Sequence, residues 1–87
     1  MKYNARYVDL FFNHFKRFTL KEQRVIERKI DILINDPDHP SLRTKKLNDD
    51  NLYESSVSMD IRVIWRLNEN LIVFEDVGHH DILKKYG

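Results

Sequence analysis

Midway along the chain the spacing of apolar residues changes period, and that change constrains the fold more than any other feature. Through residue 34 the apolar residues recur every three or four positions: Val8, Phe11, Phe12, Phe15 and Phe18, then Val25, Ile26, Ile30, Leu33 and Ile34. Such spacing lays one apolar stripe along a helix. From residue 53 the period is two: Tyr53 and Val57, then Ile61, Val63, Trp65 and Leu67. That is the pattern of strands with one buried face. Helices followed by strands segregate, so the expected class is α+β with the helices packed on one face of the sheet.

Local signals set the boundaries. Residues 2–6 suit a short N-terminal strand. Thr19 precedes Glu22 by three positions, a capping box that starts a second helix over residues 20–34. Asn35-Asp36-Pro37 stops it, because a residue before proline is pushed out of helical geometry. Residues 36–51 hold both prolines and read as a long loop, a length that is often functional. Strands are expected at 53–58, 61–67 and 71–77, with a turn at 68–70 and a short helical or irregular tail over residues 81–86. Within 61–67, Ile61, Val63, Trp65 and Leu67 should face the helices, and Arg62, Ile64 and Arg66 should face away. The expected order is one strand, two helices, then a three-stranded antiparallel meander, in a single domain spanning residues 1–87.

Composition narrows the class. In 87 residues, 41% are hydrophobic and cysteine is absent, so the core must hold without disulfides, as suits a reducing compartment. The first residues carry no apolar leader and no run is long enough to span a bilayer, so a cytoplasmic protein with no membrane partner is expected. Net charge is only +1, below the surplus usual for a free-standing nucleic-acid binder. Its cations are clustered: Arg43, Lys45 and Lys46 in the loop, Lys84 and Lys85 near the C-terminus. Lys16, Arg17, Lys21, Arg24, Arg28 and Lys29 alternate with Glu22, Glu27 and Asp31, which reads as a solvated helix face. His79 and His80 are adjacent, but no second ligand pair stands at metal spacing, so no metal or other cofactor is expected.

Three stretches carry a resemblance: Asp36-Pro37-Asp38-His39-Pro40-Ser41-Leu42-Arg43-Thr44-Lys45-Lys46-Leu47, Asp60-Ile61-Arg62-Val63-Ile64-Trp65-Arg66, and Val77-Gly78-His79-His80-Asp81. In this order and spacing the chain resembles the RelE/ParE toxin superfamily along nearly its whole length. The resemblance implies the toxin of a type II toxin–antitoxin system, a ribosome-dependent mRNA endonuclease held in check by a cognate antitoxin protein. It places the family's strand arginine at Arg62, its basic residue after the last strand at His80 and its tail aromatic at Tyr86. Glu54 and Ser56 stand where RelE carries two strand lysines, and Glu54 is similar to a glutamate proposed as base in some relatives. Arg43, Lys45, Lys46, His79 and Lys84 are the expected substrate contacts.

Metal-free RNA cleavage uses the ribose 2′-hydroxyl as nucleophile, so it needs a base, an acid and positive charge on the phosphate. Arg62 suits the charge, His80 the acid, Glu54 the base, and Tyr86 can orient or stack on a nucleobase. Each has a structural alternative: Arg62 in an ion pair with Asp76 or Glu54, His80 and Glu54 solvated, Tyr86 packing the tail onto the sheet. Two other functions share the fold: a ParE-like inhibitor of DNA gyrase, and a catalytically degenerate member that only binds its antitoxin.

Overall fold

The structure, a computed structural model, describes residues 2–48 and 50–86. Five strands form one sheet in the order β1-β5-β4-β3-β2, where β1 is Asn4–Tyr7, β2 Lys45–Asn48, β3 Leu52–Ser56, β4 Ile61–Asn68 and β5 Leu71–His79. Helices α1 (Asp9–Phe15) and α2 (Leu20–Asn35) lie between β1 and β2. β1 runs parallel to β5, and β2 to β5 form an antiparallel meander. The class is the expected α+β arrangement, with a strand, two helices and then the meander.

Helix α2 begins where its sequence says it should. The Thr19 hydroxyl accepts from the Glu22 N–H at 3.1 Å, and the Glu22 carboxylate accepts from the Thr19 N–H at 2.9 Å. Its stripe of Ile26, Ile30 and Leu33 is buried against the sheet. From the sheet, Val63, Trp65, Ile72, Phe74 and Val77 complete this core, and Phe74 stacks on Tyr7 with ring centroids 4.8 Å apart. The indole N–H of Trp65 donates to Ser55 Oγ, so the large ring is buried without an orphaned donor.

Two departures matter for the site. Residues 36–51 are not a structureless loop: a 3-10 turn, Pro40–Leu42, precedes β2, which adds a fourth strand to the meander. Lys45-Lys46-Leu47-Asn48 has too little apolar content to announce a strand, and its two lysines suit an exposed sheet edge. Also, Ile64 faces away from the helices as expected, yet it is fully buried. The C-terminal 3-10 segment His80–Lys85 folds back over that face, and Ile82, Leu83 and Tyr86 pack with Ile64 and Leu52 in a second, smaller core.

Candidate active site

The face under the C-terminal segment carries a row of paired residues across four strands. Lys45 is opposite Glu54, Glu54 opposite Ile64, and Ile64 opposite Asp76. Directly paired residues of an antiparallel ladder point to the same side. In the next row, Ser56 pairs with Arg62 and Arg62 with Gly78. Lys45, Glu54, Ser56 and Arg62 therefore share one face, with Lys45 supplied by β2, in the stretch whose sequence suggests a loop. Lys46 pairs with Tyr53 and lies on the helix side, so the two neighbouring lysines part.

Arg62 is held, not free to swing. Its Nε lies 3.9 Å from Glu54 Oε1, and Nη1 donates to the carbonyls of Ser58 (2.7 Å), Met59 (3.0 Å) and Ile61 (3.3 Å). Nη2 has no partner among the described residues. The ion pair to Glu54 is one of the structural alternatives that the sequence allowed. Both side chains are largely covered, at 14% and 10% exposure. A guanidinium fixed in this way presents its remaining N–H groups already ordered at the moment of binding.

His80 opens the C-terminal segment at the same end of the sheet, two residues beyond the Gly78 that pairs with Arg62. It is exposed, and its backbone N–H points at Asp60 Oδ1, 3.5 Å away. His79 goes elsewhere. It pairs with Ile61, turns to the helix side, contacts the Phe18 ring and bonds Asp60 through Nδ1 at 2.6 Å. That bond is the main reason the Asp60 carboxyl is held below its ordinary value. His79 is thus separated from the face that carries Arg62. Arg43 sits in a left-handed conformation at the end of the Pro40–Leu42 turn, exposed, and shares a shallow basic hollow with Lys29 and Arg62. Lys84 is exposed on the C-terminal segment.

Tyr86 does not meet Arg62. Its hydroxyl donates to Asp76 Oδ2 at 2.8 Å, and its ring packs in the smaller core. Burial, reinforced by the bond to Asp76, raises its pKa well above the ordinary tyrosine value, so the phenol stays protonated. Asp76, which sequence reading named only as a possible partner for Arg62, is fully buried and engages three donors: Tyr86, His14 Nδ1 at 2.6 Å and the Val77 N–H at 2.8 Å. A β-bulge places it there, because Ile64 pairs with Asp76 while Trp65 pairs with Phe74, leaving Glu75 as the extra residue. The consecutive acids Glu75-Asp76 inside an apolar run were the available signal. Among the described residues, no three His, Asp or Glu side chains cluster as a metal site would require, and no helix is long and apolar enough to cross a membrane.

No family model matches the sequence, and no curated protein matches it. Solved structures do match. A chain of the Escherichia coli DinJ–YafQ toxin–antitoxin complex superposes with a TM-score of 0.78 at 18% identity, over 95% of this chain and 98% of that one. The archaeal RelE–RelB complex from Pyrococcus horikoshii OT3 gives 0.77 at 21% identity, over 91% and 96%. A YoeB/ParE toxin from Agrobacterium tumefaciens gives 0.73 at 11%, over 88% and 98%. The fold is the one these solved toxin chains share, and it is the fold that the resemblance implied.

Proposed function

We propose that this chain is a cytoplasmic type II toxin that cuts mRNA on the ribosome without a metal and is neutralised by an antitoxin protein. The observation that carries the reading is the set of Lys45, Glu54 and Arg62 on one sheet face, with His80 at the end of that face. Glu54 takes the proton of the 2′-hydroxyl, whose oxygen attacks the adjacent phosphorus. Arg62 Nη2 and the Lys45 ammonium hold the phosphate oxygens as charge builds. His80 gives a proton to the departing 5′-oxygen, leaving a 2′,3′-cyclic phosphate and a free 5′-hydroxyl. Lys45 supplies, from β2, a cation on the face where the RelE lysines would stand in β3. The solved relatives that are toxin–antitoxin complexes support an antitoxin partner, and the exposed cations Arg43 and Lys84 suit further phosphate contacts.

A second reading has its own support. Arg62 Nη1 and the Tyr86 hydroxyl both serve internal bonds, as they would in a gyrase-inhibiting or catalytically silent member. Purified protein separates the two. Added to translating ribosomes and, in parallel, to a gyrase supercoiling assay, it should cut the ribosome-bound mRNA and leave supercoiling intact. Supercoiling stopped with mRNA whole would exchange the first reading for the second.

A further inference from the structure

Among the described residues, the distal half of β5 has no strand on its outer side. β1 pairs with β5 only from Leu71 to Phe74, and beyond that point the sheet edge opens into a cleft of about 280 Å³ between the end of α1 and the C-terminal segment. His14, Arg17, Phe18, His79, Asp81 and Lys85 line it.

Two of these residues are imidazoles oriented in the same manner. His14 Nδ1 is bonded to the buried carboxylate of Asp76, and His79 Nδ1 to Asp60, each at 2.6 Å. A carboxylate on Nδ1 fixes that nitrogen as the donor and leaves Nε2 as the ring's outward position. Neither Nε2 has a partner among the described residues. The rings are 25% and 57% exposed, and no buried polar atom of a covered side chain is orphaned among the described residues, so the His14 Nε2 reaches solvent. Arg17 and Lys85 add two fixed cations, neither ion-paired among the described residues; Asp81 is the carboxylate in the lining, and those of Asp76 and Asp60 stand behind the two rings. Phe18 adds an aromatic surface.

We propose that this cleft is a second phosphate subsite that holds a neighbouring backbone phosphate of the same RNA strand, with a base resting on Phe18. The inference rests on the nuclease reading above. Two cations match a phosphate, and an aromatic ring beside them matches a nucleotide. Continuity favours a strand over a free anion: Gly78 lines the cleft and is also the ladder partner of Arg62, so one polynucleotide crossing the end of β5 reaches both places.

The test uses the whole chain and an uncleavable 2′-O-methyl oligoribonucleotide, with inorganic phosphate as the second arm. The ring Cε1–H resonances of His14 and His79 should shift with the oligonucleotide at concentrations well below those at which phosphate moves them. Replacing Arg17 and Lys85 together by alanine, both exposed and so harmless to folding, should abolish the shifts. It should also lower the slope of log K against log salt by about 0.7 for each phosphate left without its cation. Oligonucleotide binding that leaves both rings unmoved overturns the subsite, and equal potency of phosphate reduces it to an adventitious ion only. Cutting of ribosome-bound mRNA is read separately. A chain that cuts without moving these rings loses the subsite and keeps the nuclease reading; one that moves them without cutting does the reverse.

Discussion

The Tyr86 hydroxyl donates to Asp76 at 2.8 Å, and this one bond ties the C-terminal segment to the bulge of β5. The phenol's pKa is raised by burial and by the carboxylate it serves. A folded-state pKa above the unfolded one gives stability that is full below the unfolded value, about pH 10, and is lost as pH rises through the folded value. Tyr86→Phe should therefore cost about 1.5 kcal/mol at neutral pH, as a hydrogen bond to a charged acceptor does. It should also flatten the alkaline fall in stability. Urea denaturation between neutral and strongly alkaline pH measures both. Cutting should survive this substitution, since the hydroxyl points at Asp76.

The acid side has its own contributors. The Glu22 carboxyl is held below its ordinary value by bonds to Thr19, foremost the Thr19 N–H, and Asp60 chiefly by His79. Depressed carboxyls stabilise the fold above their unfolded pKa, and the contribution vanishes as pH falls through the folded value. Glu22→Gln and Asp60→Asn should each make stability less steep below about pH 4. Thr19→Ala removes the cap hydroxyl and should cost about 1 kcal/mol at neutral pH. Denaturant midpoints measured down the acid range check all three.

Lys45 is exposed on an edge strand and stands opposite Glu54. Lys45→Ala should change stability by less than about 0.5 kcal/mol. Cutting should fall by about 100-fold, as when a preorganised charge-stabilising donor is removed. Lys46→Ala, on the other side of the sheet, should change neither. Cleavage rates on ribosome-bound mRNA compare the pair.

Gly78 is needed for closeness. A Cβ there would lie 2.8 Å from Ile82 Cδ1 and 3.2 Å from Ile82 Cβ. Gly78→Ala should lift the C-terminal segment from the sheet and cost about 1–3 kcal/mol, the range for an overpacked core position. Faster exchange of the Tyr86 N–H, which bonds Leu83, would report the loosening.

Much of the fold was legible because local rules and packing agree. The Thr19–Glu22 box marked the start of α2, and the alternation in β4 assigned each of its side chains to a face. Strand β2 was not legible, because Lys45 to Asn48 gain their conformation from pairing with β3 and not from an apolar pattern of their own. The burial of Ile64 was hidden for a related reason: its cover comes from Ile82, Leu83 and Tyr86, a segment too short to show a period. Of the candidate site, the sequence placed Glu54 and Arg62 on one face, as the structure has them. It did not show that Asp76 occupies Tyr86, since that depends on the bulge of β5.

The most direct measurement is primer extension on cellular mRNA after brief expression of the wild-type chain and of His80→Ala and Arg62→Ala. Discrete breaks inside translated reading frames should appear with the wild type and fall by about 100-fold or more with either variant. Growth arrest with intact messages, or breaks that persist undiminished when His80 and Arg62 are gone, would contradict the assignment of RNA cleavage to this sheet face.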